Sequence, residues 1–367
     1  MGLIAFYDPP KDNFAQVLQD FYKAGIAVKI ITGDNAETTR SIAKQVGFEG
    51  YEKTMSGAEL LQLSEPQLRQ AVMDVNVFTR MFPEAKLRII NALKANDQIV
   101  AMTGDGVNDG PALKAAHIGV AMGKKGTEIA KQAASLVLIE DDLARMVDAI
   151  AMGRKIYENL KKAIRYIISI HIPIILVVFI PLALGWKYPN IFSPVHIIIL
   201  ELIMGPTCSI IFENEPMEKD AMLHKPRSFT ATFFNGRELG TSIIQGLVIT
   251  LFALLVYQYS AGQGYTEGVT SAMVFTTLIV ANIFLTFVNR SFYYSAWSTL
   301  QYRNRLLLYI VAITVLIAAV LLYVPLFREF CDFDHVNAVQ LMICIAMGLL
   351  SVIWFEIVKW QKRSRKL

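Results

Sequence analysis

Two aspartates, Asp105 and Asp109, bracket a glycine-rich bend in TGDGVNDGPALK, residues 103–114. An apolar run, IVAM, leads into the bend and helix-forming residues leave it. Two carboxylates about 4 Å apart repel by about 4 kcal/mol at an effective dielectric of about 20. A magnesium ion relieves that repulsion, because it binds one or two carboxylates and completes its shell with phosphate and water. Asp105 and Asp109 are therefore candidate metal ligands, with Asn108 between them to orient the shell. Capping of the following helix is the plain alternative for Asp109, but it leaves the rest of TGDGVND unexplained. A second triplet, Thr32-Gly33-Asp34, offers the same chemistry. Its glycine lets the backbone approach closely, and its threonine and N–H groups suit phosphate oxygens. Lys86, in FTRMFPEAKLRIINALK, falls between the two loops. A lone lysine is ordinarily solvated; here its ammonium would neutralise charge on a transferring phosphoryl group.

Such loops need a frame. VKIITGDN precedes the helical pattern AETTRSIAKQVG, and IVAMTGDG precedes VNDGPALKAA. Strand-like runs alternating with helical ones read as a parallel sheet with crossover helices. Ligands of such sheets bind at the carboxyl ends of the strands, where both TGD triplets fall. Residues 1–155 are assigned to this α/β domain. The chain opens on another strand-like run, GLIAFYD, with neither a basic n-region nor an h-region, so no cleavable signal is expected.

The remainder, 156–367, has a different composition. The whole chain is 54% hydrophobic, with mean hydropathy +0.42, and the excess lies here. A membrane-spanning helix needs about 20 mainly apolar residues. Blocks at 166–186, 191–212, 239–261, 269–288, 306–327 and 336–358 satisfy that. Alternate connections carry Lys219, Lys225, Arg227 and Arg237, then Arg290, Arg303 and Arg305, and the tail KWQKRSRKL is basic. The other connections carry few basic residues. The positive-inside rule then sets the α/β domain and the tail in the cytosol, in a multi-pass protein of the plasma membrane. The net charge of +4, without a basic-aromatic pattern, argues against nucleic acid as a partner. Cys208, Cys331 and Cys344 form neither a disulfide framework nor a CxxC site.

Within the apolar blocks Glu201 stands out, in IIILELIMGPTCSII. A charge at mid-bilayer costs about 2.5–3.5 kcal/mol even on the lenient insertion scale. A cation or a bonding partner on another helix must offset it. Gly205 and Pro206 follow and are expected to interrupt the helix, freeing carbonyls for a cation. His171, beside Pro173 in SIHIPII, is a similar polar group at a helix breaker, read equally as ligand or packing histidine. Glu201, His171 and Pro206 are the candidate ion site. His196, Gln245, Asn282 and Glu356 are read as bonds between helices.

The ordered set DPPK (8–11), TGDN (32–35), PEAK (83–86) and TGDGVNDGPALK (103–114), followed by six spans, resembles the carboxyl-terminal half of a P-type cation-transporting ATPase of the calcium-pump-like group. The resemblance implies an α/β haloacid-dehalogenase-like (Rossmann-like) phosphorylation domain, incomplete here, followed by an all-α six-helix transmembrane domain. It implies that ATP phosphorylates an aspartate in a DKTGT motif and that the aspartyl phosphate is then hydrolysed. By motif match Asp105 ligates Mg2+ with Asn108 and Asp109 in support, Lys86 contacts the phosphoryl group or the aspartate, and Thr32, Gly33 and Asp34 form the second phosphate-side loop. The cargo would be Ca2+ or another divalent cation.

Three departures qualify the resemblance. No DKTGT occurs in the 367 residues, and the family places that strand between the two TGD strands, so ladder edges are expected to lie open. The expectation is a fragment, inactive without a missing amino-terminal half; the alternatives are a non-catalytic membrane subunit with relic motifs and a membrane-anchored phosphatase. Gly110 stands where family members usually carry alanine. Finally, His171, Ile174, Met204 and Gly205 occupy positions where calcium pumps tend to carry Asn, Glu, Thr and Asp. The stretch IEDDLARMVDAIAMGRKIYENLKKAIRYI reads as one helix joining the halves and coupling phosphorylation to the ion site.

Overall fold

The structure is a computed structural model that describes residues 10–218, 220–228, 232–302 and 304–364, with the backbone alone for Cys208 and Ser209. The strand-like run at 2–8, the first two residues of DPPK, Lys219, Arg303 and the end of the basic tail lie outside the described residues. The chain divides into two compact units, 1–154 with 218–231, and 155–217 with 232–367.

The first unit alternates strands and helices. Its elements are α1 (Phe14–Lys23), β1 (Ile30–Ile31), α2 (Ala36–Gln45), β2 (Thr54–Ser56), α3 (Gly57–Gln62), α4 (Glu65–Asp74), β3 (Val77–Thr79), α5 (Pro83–Ala95), β4 (Ala101–Gly104), α6 (Gly110–Ala115), β5 (Ile118–Met122), α7 (Glu128–Ala133) and β6 (Leu136–Leu138). Local chemistry sets the helix starts. Asn35 caps α2 by accepting from the Thr38 N–H at 2.9 Å, Ser56 and Glu59 form a capping box on α3, and Pro83 begins α5, where no N–H is required.

Among the described residues all pairings are parallel, but they form two sheets, β1-β3-β2 and β4-β5-β6. The sheets share one core, in which Phe78, Met102, Ala121, Ile89 and Leu113 are buried. The strand that leads into the first TGD triplet, β1, and the strand that ends in the second, β4, are each an outer strand among the described residues, and neither pairs with the other there.

The second unit contains most of the long apolar helices: α8 (Ala144–Ala183), α9 (Pro194–Pro206), α10 (Gly236–Gly262), α11 (Glu267–Asn289), short α12 (Ala296–Leu300), α13 (Arg305–Tyr323), short α14 (Pro325–Phe330) and α15 (Ala338–Ser364). Among the described residues six segments are long and apolar enough to cross a membrane, α9 counted with the turn that follows it. The joining stretch is helical from Ala144 onward, as part of the 40-residue α8. Helix α11 is the most enclosed, with 78% of its apolar stretch buried against 28% for α13 and α15. Small residues let the helices close on it. A Cβ at Gly348 of α15 would lie 2.7 Å from Val280 Cγ1 and 3.0 Å from the Ala281 nitrogen.

The expected interruption at Gly205-Pro206 is not present. Both residues remain helical and the chain widens into a π-helix over Thr207–Phe212. Proline removes one N–H, and a wider turn accommodates that without unwinding. The Thr207 hydroxyl donates to the Ile203 carbonyl at 3.4 Å. Helix α8 likewise runs through Pro173 and Pro181. Pro173 has no N–H for the Ser169 carbonyl, and Gly246 of α10 packs at that point: a Cβ there would lie 2.9 Å from the Ser169 oxygen.

One buried charge cluster ties four segments together. Glu215 and Arg290 are 0% and 1% exposed and pair at 2.7 Å. Asn304 donates to the other Glu215 oxygen at 3.0 Å and to the Ile211 carbonyl at 3.1 Å. Asn159 of α8 donates to the Glu215 carbonyl at 2.7 Å. Elsewhere His196 bonds the Cys331 carbonyl, Gln245 donates to Asn289, Tyr166 donates to Asn282, and Glu356 accepts from the Ala296 N–H while pairing with Lys359.

Candidate functional site

The bend at the end of β4 is built around the Asp109 carboxylate. One oxygen receives the Lys86 ammonium at 2.7 Å, and the pair is largely enclosed, 14% and 10% exposed. The other oxygen accepts the Gly106 N–H at 3.2 Å. The side chain thus turns back over the bend rather than capping α6, for which it makes no bond. Gly104 makes room for it: a Cβ there would lie 2.6 Å from Asp109 Cβ and 2.8 Å from its Cγ. Lys86 comes from the first turn of α5 and crosses from one sheet's connection to the other's.

Asp105 and Asn108 are exposed at the same strand end, while Asp109 is buried. The Asp105 backbone is fixed by the Thr127 N–H, which donates to its carbonyl at 2.9 Å. The donors offered by Asp105, Asn108 and Asp109 are oxygens, the set a hard ion such as magnesium selects. With Asp109 engaged twice, Asp105 is the more open carboxylate. No cluster of three or more His, Cys, Asp or Glu gathers among the described residues.

The first TGD loop is braced by a contact absent from the sequence reading. Thr32 and Asp34 close on each other: the Thr32 hydroxyl donates to Asp34 Oδ2 at 3.0 Å and accepts the Asp34 N–H at 3.1 Å. Beyond them, the Met81 N–H donates to the Thr32 carbonyl and the Arg80 N–H to the Asp34 carbonyl, each at 2.9 Å. Arg80 adopts φ +50°, a left-handed turn that aims these amides. Gly33 and Asp34 are exposed and Thr32 half-buried. Met81 and Lys86 sit on one short stretch, so a single segment supports both loops. A non-glycine left-handed residue leaves no mark in composition or periodicity, which is why the sequence does not announce it.

Asp141, also absent from the sequence reading, organises the loop after β5. Its carboxylate accepts the Lys124 and Lys125 N–H groups, each at 2.9 Å, and Lys11 donates to its carbonyl at 2.6 Å. Burial raises its pKa, but these amides, that of Gly123 and the Lys11 charge outweigh burial, and the net direction is downward.

In the helical unit, His171 Nε2 lies 3.2 Å from Glu201 Oε1, and His171 Nδ1 bonds the Ile167 carbonyl at 2.8 Å. Two of the three candidate ion-site residues therefore meet, between α8 and α9. The pair also satisfies the plainer expectation of a bonding partner for Glu201 on another helix. Both side chains remain accessible, 42% and 45%. Pro206 lies five residues beyond Glu201, at the end of α9.

Two family profiles match the chain: haloacid dehalogenase-like hydrolase over 1–117, and cation transporting ATPase, C-terminus, over 189–361. Calcium-transporting ATPase 1 of Bacillus cereus is 32% identical over 383 residues, covering 99% of this chain and 43% of that protein. The chain belongs to the P-type cation-transporting ATPases. Calcium-transporting ATPase type 2C member 1 of Homo sapiens is 31% identical and covers 100% of the chain and 40% of itself. Calcium-transporting ATPase 1 of Lactococcus lactis is 38% identical, with 79% and 33% covered. The chain thus spans 33–43% of the length of these P-type ATPases and corresponds to their carboxyl-terminal part: a haloacid-dehalogenase-like α/β region, then six long apolar helices.

Proposed function

We propose that this chain supplies the magnesium- and phosphate-facing half of a phosphoryl-transfer site, and part of the ion pathway, in an ATP-driven calcium transporter. The carrying observation is the Lys86–Asp109 pair, closed at 2.7 Å beneath a bend that leaves Asp105 and Asn108 exposed. Asp105 would hold Mg2+, with Asn108 and Asp109 setting the geometry of the loop. Thr32, Gly33 and Asp34 would face the phosphate from the other sheet, and Lys86 would contribute positive charge between the loops. Bound magnesium would offset phosphate charge during transfer of the ATP γ-phosphoryl group. The accepting aspartate would come from outside these 367 residues, on a strand seated between β1 and β4. The α/β unit and the basic end of α15 are assigned to the cytosol by the positive-inside rule.

The relatives' names support calcium as cargo. Glu201 would be one ligand, with the remainder drawn from elsewhere, because calcium takes six to eight oxygens. The His171 imidazole favours a second reading, a divalent transition metal as cargo. ATP-dependent uptake of labelled calcium into vesicles carrying the full-length transporter tests the proposal. Uptake should disappear with Asp105→Asn; uptake at the wild-type rate in that variant would overturn it. The 367 residues alone, given labelled ATP, should form no acid-stable, hydroxylamine-sensitive phosphoprotein.

A further inference from the structure

Where α10 begins and α15 ends, basic side chains gather around α8 that neither proposed site uses. Arg165 of α8 is 6% exposed, and its Nε has no hydrogen-bond partner among the described residues. Its guanidinium carbon sits 3.2 Å from the centre of the Phe292 ring. Phe292 meets Phe355 edge-on at 6.1 Å, and Lys362 Nζ stands 5.9 Å from the Phe355 centre. Lys362 is within Coulombic range of both Arg165 and Arg237. Among the described residues, the acids near Arg165 are Glu238, taken by Lys161 at 2.6 Å, and Glu158. Three cations held together at the edge of an apolar region repel one another, and a buried guanidinium nitrogen without an acceptor is costly. An anion delivered to this point would relieve both.

The surroundings indicate which anion. Arg165 immediately precedes the apolar run of α8, Arg237 lies in the first turn of α10, and Lys362 lies in the last turn of α15. All three therefore sit at the depth of lipid headgroups, and guanidinium groups match phosphate geometry. Exposed apolar side chains border the cluster, Ile357 and Trp360 on α15 and Leu239 on α10, offering a surface to acyl chains. We propose that Arg165, Arg237 and Lys362 bind the phosphate of an anionic phospholipid headgroup. The assignment rests on the helices spanning a bilayer and is independent of the ATP-driven reading.

The test uses the full 367-residue chain in detergent, with binding of labelled phosphatidylglycerol and phosphatidylcholine measured in parallel. Phosphatidylglycerol should bind at least tenfold more tightly. Each basic group near an anionic lipid contributes about 1 kcal/mol, roughly a factor of five, so Arg237→Gln with Lys362→Gln should weaken phosphatidylglycerol about 25-fold and leave phosphatidylcholine unchanged. Both side chains are exposed, so this double variant should fold even if Arg165→Gln does not. Equal affinity for the two lipids, or phosphatidylglycerol affinity within twofold of wild type in the double variant, would overturn the proposal. Displacement of the lipid by millimolar inorganic phosphate would assign the site to the free anion and overturn the lipid source. Failure of the helices to span would show separately, as failure to enter vesicles of either lipid.

Discussion

Removing the Lys86 ammonium should loosen the bend at 103–109 well before it unfolds the α/β unit. Unit charges 2.7 Å apart attract by about 6 kcal/mol at an effective dielectric of about 20. Most of that is offset by the water both groups have lost, which costs several kcal/mol per ion in protein interiors. Deleting one partner of a fully buried pair costs about 3–5 kcal/mol; with 14% and 10% exposure, about 2–3 kcal/mol is expected for Lys86→Met. Asp109 would keep the Gly106 N–H as its remaining donor. Asp109→Asn should cost a similar amount, and the double variant should cost less than the two together by at least 1 kcal/mol. Hydrogen exchange in the full chain reads this directly, since the Gly106 amide donates to Asp109. Its exchange should accelerate about 30- to 140-fold in Lys86→Met, a factor of about ten for each 1.4 kcal/mol. Additivity of the two substitutions within about 0.4 kcal/mol would refute the coupling.

Gly104→Ala drives a Cβ to within 2.6 Å of Asp109 Cβ and should destabilise the bend by about 1–3 kcal/mol, whereas Gly110→Ala, whose nearest contact is Ile129 Cγ2 at 3.7 Å, should stabilise α6 by about 0.5–1 kcal/mol; thermal melts of the two should move in opposite directions. Asp141 has a depressed pKa in the fold, so its contribution is present above the ordinary carboxylate pKa and is lost as pH falls through its lower folded value. Protection of the Lys124 and Lys125 amides should therefore fade on the acid side of about pH 4; Asp141→Asn, compatible with φ +55°, should flatten that profile. Glu215→Gln leaves Arg290 buried without a full counter-charge and should cost about 3–5 kcal/mol, read as early loss of the folded chain in detergent; Arg290→Met added to it should recover part of the loss. Glu201→Gln in the complete transporter should abolish cation uptake, and unchanged uptake would remove that residue from the pathway.

Much of the fold is legible because its signals are local. TGD ends β4 and closely follows β1, capping residues mark α2 and α3, and apolar length marks the six long helices. The proline sites misled. A proline removes one N–H whether the helix breaks, kinks or widens, and the choice at Pro206 depends on the turn that follows and on what Thr207 can reach. At Pro173 the deciding neighbour is Gly246, 73 residues away, which a scan of α8 cannot see. The Asp105–Asp109 spacing locates the bend, but only tertiary packing assigns Asp109 to Lys86 and leaves Asp105 open. Arg80, Met81 and Asp141 escape notice because their work is done by backbone amides or unusual φ values, which side-chain chemistry does not encode.

The knot around Glu215 limits how α9 can move. Glu201 lies on α9, 14 residues before Glu215, which follows the π-helix that ends at Phe212. At the Glu215 end, displacement would have to drag the neighbouring segments of Asn159, Arg290 and Asn304 or part a pair excluded from water. At the Glu201 end, the contact to His171 is open to its surroundings and cheaper to break. Any rocking of α9 would thus hinge near Glu215 and swing at Glu201, so probes beside the knot would hold their separations while those beside the glutamate spread; the reverse pattern would mean the hinge lies elsewhere.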